Sequence, residues 1–423
     1  MTRVALASLA GSAIEFYDFF LYGTAAALVF PSVFFPDLGA TMATIASMAT
    51  FAAAFVSRPL GAAVFGHFGD RRGRKATLVA TLLIMGLSTV AVGLLPGVAT
   101  VGVAGPLALL ALRLLQGLAL GGEWAGSALL LAEHAPAGRR GRYAMFTPLG
   151  AGVGLVLANL AMLVVNATVG ETSPAFLAWG WRVPFLFSAV LVVVALYVRL
   201  NIGETPVFAA ELRRAHDAPR TAPIAALLRD QTRRVVLAAG CAVGPFTLSF
   251  MAATYLLNYA RGELGQSRNV ILFVGVLGGL SSIALTAPAA VLCDRVGRRR
   301  VLLWGFAAAV PWSFAVMPLM NTGIAALFGV AIVVTFAIMG VLIGPLSAFI
   351  PETFATRYRY TGAGLAFNAG GLVGGAVPPM LAGALAETAG PWAIGPMMAV
   401  LVLTSLGCTL ALPETLGAAL TDP

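Results

Sequence analysis

What most constrains this chain is a run of apolar stretches, each about twenty residues long, recurring from end to end with no soluble-domain-sized segment between them. A hydrocarbon core about 30 Å thick needs roughly 20 apolar residues per helix, and each crossing segment must satisfy its own backbone polar groups. Twelve helices are predicted, at 4–30, 43–68, 76–95, 104–132, 143–168, 176–201, 235–260, 269–292, 300–319, 323–349, 361–386 and 391–412. The expected fold class is an all-α membrane protein of two pseudo-symmetric six-helix bundles, 1–201 and 235–423. They are joined by a polar linker, 202–234, that carries Arg213, Arg214, Arg220, Arg229, Arg233 and Arg234. The first stretch opens on Arg3 like a secretory leader. Glu15 and Asp18 interrupt it and no cleavage site follows, so it is read as the first helix.

Of the 423 residues, 59% are hydrophobic and 10% charged, whereas a soluble domain carries about 25% charged residues. A net charge of +9 invites a nucleic-acid partner, but the arginines fall in short loops between apolar spans. One alternating set of loops holds Arg71, Arg72, Arg74 and Lys75, then Arg139, Arg140 and Arg142, then Arg295 with Arg298 to Arg300, and finally Arg357 and Arg359. The other set holds mainly Asp37, Glu171, Arg261, Glu263, Arg268 and Glu387. Positive loops stay in the cytoplasm, which puts both termini and the linker there and excludes nucleic acid. Cys241, Cys293 and Cys408 lie far apart in or beside apolar stretches, and His67, His134 and His216 make no ligand set. Neither a disulfide framework nor a metal or cofactor is expected, and a membrane enzyme would need a catalytic cluster that this spacing does not supply.

Three features of the first half return in the second. Asp70-Arg71-Arg72-Gly73-Arg74-Lys75 recurs as Asp294-Arg295-Val296-Gly297-Arg298-Arg299. Glu133 with Arg142-Tyr143 recurs as Glu352 with Arg359-Tyr360, and Glu204-Thr205 as Glu414-Thr415. Six helices bring a chain back to its starting side, so the halves share one orientation, with a solute site expected between them near the midplane. Small-residue pairs such as Gly117 with Gly121 and Gly150 with Gly154 read as close helix packing, which replaces the hydrophobic drive that lipid removes.

The loop Gly66-x-x-x-Asp70-Arg71-x-Gly73-Arg74-Lys75, repeated in the second half, resembles the signature of the major facilitator superfamily. Three further stretches resemble its metabolite:proton symporter branch: Glu15-Phe16-Tyr17-Asp18-Phe19-Phe20, Arg113-x-x-Gln116-Gly117 running to Gly121-Gly122-Glu123-Trp124, and Trp179-Gly180-Trp181-Arg182-Val183-Pro184-Phe185. The resemblance spans essentially the whole chain. It implies alternating access, residence in a bacterial cytoplasmic membrane, and uptake of a carboxylate or zwitterion such as a dicarboxylate, citrate, shikimate, proline or betaine. Osmosensing members carry a long C-terminal coiled coil; this sequence ends at Pro423 soon after its last helix, so osmosensing is not expected. A proton-coupled exporter is the alternative. Antiporters carry a Gly-Pro-Gly-Gly pattern on helix 5, of which Pro148-Leu149-Gly150-Ala151-Gly152 is a poor version.

Ionisable groups inside a span cost several kcal/mol and are usually paired and functional. Glu15 and Asp18 share one face of helix 1 with Tyr22, while Arg113, Gln116 and Glu123 share a face of helix 4. Asp18 and Arg113 are expected as a proton-coupling pair, an arrangement the resemblance also implies, with Glu15 and Glu123 beside them. A permanent ion pair that only orients helices is the structural alternative. Arg58 is expected to anchor a solute carboxylate through its fixed fork of donors, or else to serve as Glu15's structural partner. Tyr17, Tyr22, Gln116, Phe246, Tyr255, Asn258 and Asn368 are further candidates for the cavity wall. A loop cluster of Asp70, Arg71, Gly73, Arg74, Glu133, Arg142, Asp294, Arg295, Arg298, Glu352 and Arg359 reads as a cytoplasmic gate. Its aspartates would face helix N-termini across the halves. Nothing in the sequence requires more than a monomer, with protons, a small solute and the bilayer as partners.

Overall fold

The computed structural model describes residues 2–72, 74–136, 138–170, 173–200, 223–355 and 359–417. Twelve long helical segments run through them. The first six are α1 (Thr2–Leu28), α2 (Ala40–Arg72), α3 (Arg74–Leu94), α4 (Ala104–His134), α5 (Phe146–Val169) and α6 (Arg182–Leu200). The second six begin with α7 (Thr232–Phe250), which continues through a π-helical turn, Met251–Tyr255, into Leu256–Gly262. Then come α8 (Arg268–Val296), α9 (Arg298–Met320) and α10 (Ala325–Glu352). The set ends with α11 (Arg359–Gly371, resuming at Val377–Ala389) and α12 (Ile394–Ala411). Residues 201–222, most of the expected linker, lie outside the description; the rest of it forms a short helix, Pro223–Asp230.

Eleven of these helices are long and apolar enough to cross a membrane. Side chains such as Val193, Val400 and Leu94 are exposed on the outer faces, as a hydrocarbon solvent permits.

The helix pairings repeat with a shift of six. In the first half α1 packs on α5, α2 on α4, and α3 on both α4 and α6. In the second, α7 packs on α11, α8 on α10, and α9 on both α10 and α12. The halves meet chiefly along α5 and α8, with the equivalent α2–α11 contact opposite. The small-residue pairs make these approaches possible. A Cβ on Gly154 would fall 2.6 Å from the backbone nitrogen of Tyr17, and one on Gly150 2.6 Å from Ser12 Cβ. Gly121 likewise leaves room for the Arg58 carbonyl, and Gly117 for that of Ala54.

Proline marks the bends. Pro245 sits inside α7, where it removes one backbone donor and clashes with the preceding turn. There the Ser405 hydroxyl of α12 accepts from the Gly244 N–H at 2.7 Å and donates to the Gly240 carbonyl at 2.6 Å.

Candidate functional site

Helix α6 positions the functional face of α1. Trp181 is fully buried against the edges of Phe30, Phe34 and Phe185, with ring centroids 5.6–6.1 Å apart. Arg182 reaches back to the Leu95 carbonyl at 2.9 Å. The Tyr17 hydroxyl donates to the Pro184 carbonyl at 2.8 Å. One turn on, the Ser188 hydroxyl donates to Asp18 Oδ1 at 2.6 Å. Asp18 is 1% exposed, and Glu15, a turn nearer the N-terminus, is also buried.

Arg113 does not close an ion pair with Asp18 among the described residues. Its Nη1 donates to Gln116 Oε1 at 3.0 Å, and Gln116 donates onward to the Thr89 hydroxyl at 2.8 Å. The guanidinium lies over the rings of Tyr22 (4.1 Å), Phe19 (4.5 Å) and Phe51 (4.8 Å). Asp18 and Arg113, expected as a proton-coupling pair, thus stand apart in this structure. Helical spacing placed both on facing helices but could not show that aromatic rings would take the cation's first contacts. Arg58 repeats the pattern, over Phe55 at 4.2 Å and Phe19 at 4.6 Å. Both guanidiniums are buried, and each keeps Nε and Nη2 without a hydrogen-bond partner. Cation–π contacts of this desolvated kind contribute about 2 kcal/mol each, but they leave the N–H edges unsatisfied.

Between the halves lies a cleft. Phe16 and Phe20 of α1, Phe246 and Phe250 of α7 and Phe367 of α11 line it, with the hydroxyls of Thr147, Ser249 and Ser282. Of the eight residues expected to meet a solute, Phe246 lines this cleft and the other seven lie off its wall. Tyr22 spends its hydroxyl on Thr50 at 2.8 Å, and Tyr255 its own on the Ala382 carbonyl at 3.3 Å. Asn368 donates to Gly364 within its helix and, at 3.4 Å, to the Gly121 carbonyl of α4. Tyr17, Gln116 and Arg58 sit behind the wall as described above, and Asn258 is half-buried off the cleft. Tyr17, Tyr22, Gln116, Tyr255 and Asn368 spend their hydrogen bonds on neighbouring helices. Phe16, Phe20, Phe250 and Phe367 were missed because among 25 phenylalanines a cavity-lining ring has no sequence mark that a lipid-facing ring lacks. The i, i+4 spacing of Phe16 with Phe20 and of Phe246 with Phe250 is the signal that was present.

At the arginine-rich end, Asp294 of α8 accepts from the backbone N–H groups of Gly141 and Arg142 across the halves, both at 2.9 Å. Arg298 is buried and pairs with Asp294 at 3.0 Å and Glu352 at 3.2 Å. Arg140 crosses the halves to Glu352 at 3.6 Å. Like Arg140, two further residues outside the expected cluster join it. Thr415 donates to Glu352 at 2.6 Å, and Glu414 accepts from the N–H groups of Arg298 and Arg299 that open α9. Gly297 allows that turn: its φ of +108° suits glycine, and a Cβ would strike the Glu414 carboxylate. The Arg142 side chain and Arg295 are exposed, and Arg359 is buried at the start of α11. Gly73 lies outside the described residues, as do the side chains of Asp70, Arg71, Arg74, Glu123 and Glu133.

The opposite end is also bridged. Asn166 of α5 donates to Asn269 of α8 at 2.6 Å and accepts from Arg268 at 3.1 Å, while Arg268 lies over the Phe176 ring at 4.2 Å.

A paired-bundle arrangement with a central cleft and links at both ends is a transporter architecture, and the family model "Major Facilitator Superfamily" matches residues 9–379. This chain belongs to that superfamily. Among its superfamily relatives, "Inner membrane metabolite transport protein YhjE" of Escherichia coli is 42% identical, over 98% of this chain and 94% of that protein. The "Shikimate transporter" of Escherichia coli is 39% identical, over 92% and 89%. The "Proline/betaine transporter" of Salmonella typhimurium is 29% identical, over 90% and 77%. A crystal structure of the superfamily's D-xylose-proton symporter superposes with a TM-score of 0.75 at 18% identity, over 99% of both chains. The fold is that of the superfamily, and the chain is a multi-pass membrane transporter of the metabolite-transporting kind.

Proposed function

We propose that this protein is a proton-coupled symporter that carries a small organic acid or zwitterion inward by alternating access. The observation that carries the reading is Asp18: a carboxylate 1% exposed inside a span, bonded by the Ser188 hydroxyl with no arginine in ion-pair contact. It shares its surroundings with Glu15, Arg58 and Arg113. With both acids ionised these four groups sum to zero. Protonation of Asp18 leaves one guanidinium charge unbalanced in a medium where an unbalanced charge costs several kcal/mol. A passenger carboxylate removes that cost, so proton and anion favour each other's binding, and Arg58 and Arg113 are the groups that would receive it. The coupling is reciprocal, as linkage requires.

The two moving bodies are residues 1–201 and 235–423, with 202–234 as the linker. Asp294, Arg298, Arg140 and Glu352 form the cytoplasmic gate, which closes that side while the cleft faces outward. Both termini lie in the cytoplasm of a bacterial cell, and the monomer is the working unit. Support for the solute class comes from relatives named for shikimate and for proline and betaine, all small and bearing a carboxylate. Purified protein in liposomes tests the reading. A pH gradient, acid outside, should drive accumulation of the solute above its external concentration, whereas flux that ignores the gradient contradicts it.

A further inference from the structure

We propose that the cleft selects a monocarboxylate with an aromatic or similarly flat apolar body. This rests on the reading above only in taking the cleft as the passenger's site. Among the described residues the lining offers phenylalanine rings and three hydroxyls and no charged side chain. Phe246 lies parallel to Phe250 (7°, centroids 5.8 Å apart) and edge-on to Phe367 at 4.8 Å. Phe16 and Phe20 supply the facing wall from α1. A flat ring can add to such a set in the offset and edge-to-face geometries that aromatic pairs prefer.

The positive charge sits on one side only. Phe250 lines the cleft and touches Phe55 at 5.0 Å and Phe19 at 5.4 Å. Those two rings carry the Arg58 guanidinium, and Phe19 also carries that of Arg113. Two ring layers, Phe250 and then Phe55 with Phe19, therefore separate the cleft from two buried guanidiniums whose Nε and Nη2 atoms lack partners. They mark where a carboxylate goes, reached when Phe250 moves away with its half and the Phe19 and Phe55 side chains turn aside. A guanidinium fork matches one carboxylate.

The same arrangement excludes other classes. A dicarboxylate would leave its second charge among phenylalanines with no counter-ion, and a sugar would leave most hydroxyls unpaired. A quaternary ammonium is tetrahedral and offers these rings no flat face for the offset and edge-to-face geometries that aromatic pairs prefer. The charged groups buried in this half, among the described residues, are Glu15 and Asp18 of α1, Arg58 of α2 and Arg113 of α4.

Full-length protein in detergent, at one pH and with no gradient, is titrated calorimetrically with benzoate, succinate, glycine betaine and xylose. Benzoate should bind at least about tenfold more tightly than each of the others, within the discrimination that a shaped apolar pocket with a polar anchor can supply. Phe246→Leu and Phe367→Leu, checked for an unchanged melting temperature, should each weaken benzoate by about tenfold, the usual yield of a lost pocket contact. Arg58→Gln should remove its binding. Equal or tighter binding of any other probe, or absence of benzoate binding by folded protein, overturns the assignment. Benzoate binding without proton-driven uptake would sink the coupling and leave this site standing. Proton-driven uptake of succinate with no benzoate binding would do the reverse.

Discussion

Arg113 shows how one buried side chain joins several elements. Its contacts reach Phe19 and Tyr22 of α1, Phe51 of α2 and Gln116 of its own helix. A planar guanidinium can lie on rings and donate in plane at once, whereas an ammonium is a compact, strongly hydrated point charge. Arg113→Lys should therefore lower the transport rate at least about tenfold, even though the charge is kept. Initial uptake rates at matched protein density check this, and a near-normal rate would mean that charge alone suffices. The importance of Arg113, Arg58, Asp18 and Glu15 was legible in the sequence because charge inside an apolar run is rare. Their partners were not. Helical spacing gives a face and a depth, but rotamers and neighbouring rings decide which contact a long side chain takes, and here Phe19 and Phe55 took it.

The elements fit through backbone contact, so their tolerance to added volume is low. Gly154 lets α5 approach α1 where Tyr17 and Asp18 must be held. Gly154→Leu forces side-chain atoms into the Tyr17 backbone; overpacking of this kind costs about 1–3 kcal/mol. The melting temperature in detergent should fall, and binding should weaken with it as α1 shifts; unchanged values would show that the helices can part freely. The latch between α8 and the segment before α5 makes a second test. Asp294→Ala removes two charge-assisted hydrogen bonds of about 1.5–3 kcal/mol each that cross the halves. A cysteine placed at the buried Ala144, in a background lacking the native cysteines, should then label faster. An unaltered labelling rate would mean that Asp294 does not hold this end shut. The existence, order and approximate limits of these helices could be read from hydropathy alone. The repeated Asp-Arg-x-Gly-Arg loop foretold that Asp294 would meet a backbone N–H across the halves. That Glu414 and Thr415 would fold back to complete the cluster required knowing where the chain goes after α12.

At the scale of the whole molecule, the six-helix shift in packing makes the interface a seam between two similar bodies. In this structure the seam is bridged at both ends, by Asp294 and Arg140 at one and by Asn166 and Arg268 at the other. Alternating access needs one set to open while the other holds, and proton binding at Asp18 is the proposed bias between them. Twelve helices in two related sets were legible because membrane insertion ties fold directly to hydropathy. The cleft was not legible: its lining is apolar, and in an apolar sequence it has nothing to stand out against. The most direct test compares wild type with Asp18→Asn in liposomes, measuring gradient-driven accumulation and counterflow exchange of the same solute. The account predicts that Asp18→Asn loses accumulation and keeps exchange, because the passenger still crosses but no proton travels with it. Accumulation equal to wild type in that variant would contradict it.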